Sequence, residues 1–202
     1  MATRTIGSGQ VGRSVPRLEG AAKVTGRAEY VHNIRLPGML IGKIFRSTVA
    51  HGRIKSLDVS AARKHPGVYR VVTIDDIKTV IPNPFYGPAF HDQPILADGK
   101  VHYVGEPVAV VLASDAHVAE EAATLIEAEY EELPAVFDEV EAMTSKAVVH
   151  DELKPAGTFP DLKHLKGKKD TNLALDFHLR RGDTAKAFAD ADHVFEHTFR
   201  SQ

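Results

Sequence analysis

The sequence predicts an α+β fold built on a mixed sheet whose strands are interrupted by single crossover helices. Three observations predict this class. Short runs rich in β-branched and aromatic residues, separated by Gly and Pro, recur between residues 28 and 138. One strongly amphipathic helical pattern, over residues 115–129, is flanked by two such runs. The composition is that of a folded chain, because 43% of the 202 residues are hydrophobic and 26% are charged.

The same composition excludes several classes of protein. The formal net charge is −2 and the mean hydropathy is −0.19, which fits neither a disordered chain nor a membrane protein. No run approaches the roughly 20 apolar residues of a transmembrane helix, and the start lacks the apolar core of a signal peptide, so we expect a cytoplasmic protein. The absence of cysteine excludes disulfides, thiolate zinc sites and iron–sulfur clusters held by this chain.

The first half of the chain is divided by Gly and Pro. Residues 1–26 contain five glycines and no lasting period, which predicts an extended N-terminal arm. A loop is predicted over residues 82–100, which contain four prolines. Between them we predict strands at 28–31, 39–48, 52–60 and 68–73, a helical turn at 60–64 and a short helix over 74–77 capped by Thr73.

The strongest elements follow that loop. Residues 101–105 and 107–113 are predicted to form a strand pair, and the continuous apolar run of the second predicts a strand covered on both faces. On that basis Val110→Asp would be severely destabilising. Ser114 is predicted to cap the helix of residues 115–129. A strand and turn at 129–138 and a short helix at 139–143 complete a domain spanning residues 27–152.

The C-terminal part divides into a linker and an unfinished unit. Residues 153–172 are polar, basic and proline-bearing, which indicates a linker. The pattern then predicts a strand over 173–182, a helix over 183–192 and a strand over 193–200. About thirty residues cannot bury a core of their own, so residues 173–202 are interpreted as the incomplete start of another domain that needs a partner.

Charge is distributed unevenly along the chain. Residues 1–64 carry twelve Lys or Arg against three Asp or Glu, whereas residues 115–152 carry one Lys against twelve acids. The two segments could pack together within one domain or dock onto partners of opposite charge. The basic residues are spread singly through apolar alternation, which argues against a nucleic-acid partner.

Two motif matches lack the structural context that they require. Gly7, Gly9 and Gly12 match a dinucleotide-binding fingerprint, but no strand precedes them and no helix follows. The segment from His193 to His197 has the H-x-x-E-H spelling of a zinc site. Its alternation is that of a strand, which would place the two histidines roughly 13 Å apart, too far for one metal ion.

The remaining polar residues do not form a recognisable catalytic set. The other nine histidines are scattered singly, and the pairs Glu120-Glu121 and Glu131-Glu132 are better interpreted as solvated faces than as catalytic carboxylates. No nucleophile elbow or phosphate-binding loop is present. We therefore assign no catalytic, cofactor-binding or metal-ligating residue to this chain.

Three stretches of sequence do resemble a known family. The first comprises Arg17-Leu18-Glu19-Gly20, Lys23-Val24-Thr25-Gly26 and Ala28-Glu29-Tyr30; the second comprises Arg46-Ser47 and Ala50-His51-Gly52-Arg53-Ile54; the third comprises Val104-Gly105-Glu106-Pro107-Val108-Ala109-Val110-Val111, Ala119-Glu120-Glu121-Ala122-Ala123 and Tyr130-Glu131-Glu132-Leu133-Pro134-Ala135. In order and spacing they resemble the start of the molybdenum-binding large subunit of the xanthine dehydrogenase and aldehyde oxidase family.

The resemblance implies a fold and an activity. Residues 27–152 would form the α/β-hammerhead domain of that family, and Gly182-Asp183 with Ala187-Phe188 and Ala191-Asp192 resembles the opening of its molybdopterin-binding part. The family hydroxylates an electron-poor carbon of a heteroaromatic or an aldehyde with oxygen from water. Electrons leave through iron–sulfur clusters, and often FAD, on partner subunits. One branch instead reduces an aromatic thioester.

The family's cofactor-holding residues lie downstream of Gln202, so the resemblance assigns molybdopterin to the assembled enzyme and not to this chain. The chain would be either one piece of a naturally split large subunit or a fragment of a longer one. The expected partners are a polypeptide carrying the rest of the molybdopterin-binding domain, an iron–sulfur subunit and often an FAD subunit. The alternative function is a non-catalytic assembly or interaction module with the hammerhead fold. The proline-rich loop from Pro82 to Pro94, with Phe85, Tyr86 and Phe90, either lines a substrate path or serves core packing and partner contact.

Overall fold

The computed structural model describes residues 14, 16–157, 160–162, 164–176, 178–199 and 201. It is an α+β fold, as predicted, with short helices and four small sheets. The strands are β1 (Ile41–Arg46), β2 (Gly52–Asp58), β3 (Val68–Val72), β4 (Phe85–Tyr86), β5 (Gln93–Pro94), β6 (Lys100–Val101), β7 (Pro107–Ala113), β8 (Glu127–Glu132), β9 (Glu152–Leu153) and β10 (Lys168–Lys169). The helices are α1 (Gly20–Val24), α2 (Ser60–Lys64), α3 (Ile74–Lys78), α4 (Ala116–Thr124), α5 (Glu139–Ala142) and α6 (Thr184–Ala189), with 3₁₀ turns at Val31–Asn33 and Pro160–Leu162.

The first sheet has the order β1-β7-β3 and carries the main core on one face. Ala109 and Val111 of β7 pack with residues of α2, α4 and β3 on that face, and Val111 is 0% exposed. Val110 points to the other face, where it is only half-buried and lies opposite Ile44 of β1, which is 37% exposed. The prediction that β7 is covered on both faces holds at Val108, which is 1% exposed and packs with Val101 in a second cluster. It is wrong at Val110, because α2 and α4 pack on the opposite face. We therefore expect a substitution at Val111 to be more destabilising than the same substitution at Val110.

The second sheet has the order β6-β2-β8 and brings the basic and acidic segments together. Arg53 of β2 lies opposite Glu131 of β8. Lys43 of β1 also forms a 2.9 Å ion pair with Glu120 of α4. Of the two alternatives for the uneven charge, packing within one domain is the one observed. The glutamates of β8 also lie on an edge strand, where charge discourages pairing with other chains.

All described strand pairs are antiparallel, which corrects the expectation of a mixed sheet. The predicted pair of 101–105 with 107–113 is also wrong, because β6 pairs with β2 whereas β7 lies between β1 and β3. The described sheets contain no parallel pair because α2 and α4 each connect strands of different sheets, not neighbours within one sheet.

The predicted helix of residues 115–129 is shorter than its apolar pattern. The N-cap is Asp115 and not Ser114, since its carboxylate accepts a 3.0 Å bond from the Val118 amide. That bond is the main reason why the pKa of Asp115 lies below its ordinary value. The helix ends at Thr124, because β8 begins at Glu127 and pairs with β2. The predicted Thr73 cap is confirmed as a capping box in which Asp76 accepts a 2.9 Å bond from the Thr73 amide.

The two ends of the described chain contribute little to the core. The extended arm predicted for residues 1–26 is wrong at Gly20–Val24, which form α1, and residues 1–13 and 15 lie outside the described residues. The predicted strand at 28–31 is absent; a 3₁₀ turn at Val31–Asn33 lies there, and its residues are exposed. Of the three elements predicted over residues 173–200, the helix is present as α6, with Asp183 as its N-cap. The two predicted strands are absent, because the described residues of 173–182 and 193–200 form no strand. Phe195 and Phe199 are 78% and 89% exposed. A strand requires a neighbour for its ladder, and these segments find none in the described chain.

The described helices include none that is long and apolar enough to span a membrane.

Candidate functional site

The second and third family-like stretches meet at one tight junction. The Ser47 amide donates to the Glu106 carbonyl at 2.9 Å, and the Gly105 amide donates back to the Ser47 carbonyl at 2.8 Å. The Arg46 guanidinium donates to the Gly105 carbonyl at 2.8 Å. Residues separated by nearly sixty positions are thus held together by reciprocal backbone bonds, which satisfy the polar backbone groups where the two stretches meet.

The end of the third stretch closes on the second in the same region. His51 Nδ1 lies 2.7 Å from the Pro134 carbonyl oxygen and therefore carries the proton, because a carbonyl only accepts. The Leu133 amide donates to the His51 carbonyl at 2.9 Å. Gly52 is required by close approach, since a Cβ at this position would lie 3.0 Å from the Glu131 carbonyl oxygen.

Three imidazole rings stack across this junction. The ring centroids of His51 and His102 are 6.4 Å apart, and those of His102 and His150 are 4.7 Å apart, with interplanar angles of 26° and 13°. The rings come from the start of β2, from the turn between β6 and β7 and from the segment before β9. Residues that the sequence scatters are therefore brought into one column of three rings.

A buried carboxylate orients the middle ring. Glu106 is 3% exposed, and its Oε2 accepts a short hydrogen bond from the His102 amide. His102 Nδ1 lies 3.1 Å from Glu106 Oε1. A carboxylate facing Nδ1 places a ring proton on that nitrogen, because a carboxylate accepts and does not donate.

The outer ring separates two cavities. A cavity of about 330 Å³ is lined by His102, Glu106 and His150 together with Tyr86 and Tyr103. A second cavity, of about 440 Å³, lies on the other side of His150 and Asp92, which line both. Burial, and next the neighbouring His102, lower the pKa of His150 below its ordinary value. The His102 ring lies between the His51 and His150 rings, so both of its faces are covered. This arrangement is better suited to sensing a change of protonation than to attacking a substrate.

The predicted proline-rich loop contributes one aromatic side chain to the core and another to a cavity wall. Phe90 is buried and forms an isolated bridge with Pro155, so it serves core packing. Tyr86 is 54% exposed and lines the 330 Å³ cavity. The loop also contains the two-residue ladder of β4 and β5, which the proline content concealed.

The other motif candidates do not form sites. Glu120 pairs with Lys43, and Glu121 lies 3.6 Å from His65, so the two carboxylates are used in separate surface pairs. His193 and His197 are not on a helix; each ring instead lies beside the phenylalanine two residues later, at centroid distances of 6.3 and 6.1 Å. Gly7, Gly9 and Gly12 lie outside the described residues.

Metal-ligating side chains do not form a metal-binding cluster in the part of the chain that the structure describes. In residues 16–157 and the shorter described ranges after them, no group of three or more His, Cys, Asp or Glu side chains could hold a metal ion. The group that sequence reasoning missed is the Glu106–His102–His150 cluster; the only signal was a glutamate inside an otherwise apolar strand motif.

Comparison with known proteins gives a consistent set of relatives. Residues 25–134 match the family model described as "Aldehyde oxidase and xanthine dehydrogenase, a/b hammerhead domain". The chain is 35% identical over 198 residues to the 6-hydroxypseudooxynicotine dehydrogenase complex subunit gamma of Paenarthrobacter nicotinovorans, covering 94% of this chain and 23% of that protein. It is 42% identical over 133 residues to the carbon monoxide dehydrogenase large chain of Afipia carboxidovorans, covering 65% and 16%.

A solved structure of a Cu,Mo-CO dehydrogenase is similar in fold and sequence. The TM-score is 0.58 at 40% identity, over 65% of this chain and 17% of that one. The chain thus spans less than a quarter of the length of these relatives.

Proposed function

The chain belongs to the aldehyde oxidase and xanthine dehydrogenase family of molybdenum hydroxylases, and from this membership we propose that it supplies the hammerhead part of such an oxidoreductase. The substrate would be a heteroaromatic or aldehyde-type compound, oxidised with water as the oxygen source. The molybdenum site would lie on a polypeptide region outside residues 1–202, with iron–sulfur clusters and often FAD on further subunits. The chain alone would not be catalytic.

The match of residues 25–134 to the hammerhead model carries this proposal. The region includes the junction at which Ser47, Gly105 and Glu106 bind one another, so the family-like residues have a structural use in this chain. The gamma subunit relative is, by its name, part of a dehydrogenase complex, which supports a role within an assembly.

We further propose that residues 173–202 open the molybdopterin-binding domain and complete a sheet with the polypeptide that carries the rest of it, with residues 153–172 as the connection and residues 1–26 as an arm. The exposed side chains of Phe188, Phe195 and Phe199 support this, because large aromatic side chains are normally buried in a finished domain. The ring contacts at His193 and His197 join residues two positions apart, which is the spacing of one face of a strand.

Metal analysis and native mass spectrometry test the proposed role. The 202-residue chain purified alone should carry no stoichiometric molybdenum and oxidise no substrate. Co-expressed with a polypeptide that carries the molybdopterin-binding region, it should form a stoichiometric complex that contains molybdenum. Stoichiometric molybdenum on the isolated chain would overturn the placement of the site. Failure to assemble would instead favour the non-catalytic module.

Hydrogen exchange tests the proposed sheet completion. Amides of residues 178–199 should exchange rapidly in the isolated chain and become strongly protected in the complex, because a paired strand shields its ladder. Amides of β7 and α4 should be protected in both. Equal protection of residues 178–199 with and without the partner would contradict the proposal.

A further inference from the structure

Residues 150–156, here called the strap, pack on the hammerhead through two backbone hydrogen bonds, an ion pair and the buried side chain of Leu153. The Ala156 amide donates to the Ala89 carbonyl at 2.9 Å, and the His91 amide donates to the Lys154 carbonyl at 3.0 Å. Asp151 forms a 3.2 Å ion pair with Lys100. The chain after the strap is anchored separately, because the Asn172 side chain donates to the Ala142 and Ala147 carbonyls. Detachment of the strap therefore changes the wall of the cavities and leaves this second anchor in place.

His150 is the strap's contact with the buried cluster. Its ring stacks at 4.7 Å on His102, which Glu106 orients. A proton on His150 would place a charge in a partly buried site against that neighbouring imidazole. The closed arrangement therefore favours a neutral His150, because burial penalises the charged ring and His102 opposes it.

The charged and titratable groups around His150 come from every neighbouring element. The groups whose charges act on the pKa of His150 are His102, Asp92, Lys100 and Glu106. Asp138, Glu139, Tyr86 and Tyr103 line the two cavities that His150 separates, and Asp151 follows it on the strap. Asp92 and Glu106 would attract a charged His150, whereas His102 and Lys100 would repel it. Burial and His102 outweigh the carboxylates, which is why the pKa of His150 is lowered.

We propose that His150 is a proton-operated latch, which holds the strap on the hammerhead when its ring is neutral and releases the strap when its ring is charged. Release joins the two cavities on either side of the ring. Because a released His150 titrates near the ordinary value of 6.5, the open state takes up a proton that the closed state excludes. Acid therefore favours opening.

Hydrogen exchange of the 202-residue chain tests the latch. Protection factors, corrected for the intrinsic effect of pH on exchange, are measured for the Ala156 and His91 amides at about pH 7.5 and about pH 5.5; linkage of one proton predicts a loss of protection of up to about tenfold. The Val111 amide should not change. This range lies above the ordinary titration of carboxylic acids, so the loss reports on histidine.

Two variants and one control decide the result. His150→Phe keeps a flat ring without a titratable charge, and its strap amides should stay protected at both pH values. His150→Arg carries a permanent charge, and its strap amides should exchange at about pH 7.5 as fast as the wild type does at about pH 5.5, with Val111 still protected. His117→Phe, which removes an exposed histidine of α4, should behave as the wild type. A full pH response in His150→Phe, or a protected strap in His150→Arg, would overturn the latch.

Discussion

Neighbouring valines of β7 should differ sharply when each is replaced by alanine. Val111 is fully buried among residues of α2, α4 and β3, so Val111→Ala removes two buried carbons, worth about 1.6 kcal/mol of transfer free energy at about 0.8 kcal/mol each. The cavity left in a packed core adds about 1 kcal/mol. Val110 is half-buried on the open face, so Val110→Ala should cost about 0.8 kcal/mol or less and leave no closed cavity.

Urea denaturation of the 202-residue chain measures this difference. Far-UV circular dichroism is the suitable probe, because the chain contains no tryptophan. The free energy of unfolding should fall by about 2.6 kcal/mol for Val111→Ala, with an unchanged dependence on urea. The two variants share strand, residue type and backbone propensity, so each is the other's control. Equal destabilisation, or a larger effect at Val110, would refute the assignment of the buried face.

Three further predictions follow from single contacts. Gly52→Ala should destabilise the chain by about 1–3 kcal/mol because its Cβ meets a backbone carbonyl at 3.0 Å, whereas Gly42→Ala, whose nearest contact is 3.6 Å, should be tolerated in the same urea assay. Asp76→Asn should lower the urea midpoint at neutral pH more than Asp75→Asn does. The Thr73 amide chiefly lowers the folded-state pKa of Asp76, so its stabilisation is present above the unfolded value near 3.8 and is lost as the pH falls through the lower folded value, where wild type and variant should converge. Asn172→Asp should cost about 1–3 kcal/mol and lower the melting temperature, since its amide donates to the Ala142 and Ala147 carbonyls at 3.1 and 2.8 Å; an unchanged melting temperature would contradict this.

Local chemistry was sufficient for much of the fold. The α+β class, the capping box at Thr73 and the presence of a helix after β7 follow from patterns within a few residues of one another. The family-like stretches were also recognisable from sequence, and the comparisons confirm the family. These features depend on short-range hydrogen bonding, periodicity and composition, which the sequence determines directly.

Long-range pairing decided the rest. The apolar pattern of α4 runs on into β8, and only the ladder with β2 determines where the helix ends. The open face of β7 depends on which side α2 and α4 pack, and an apolar run is the same for either side. The column of His51, His102 and His150 joins residues about fifty positions apart, so each looked like a solitary surface histidine in the sequence. Its existence depends on the junction of the two sheets and the strap, because only tertiary packing brings such distant rings within stacking distance.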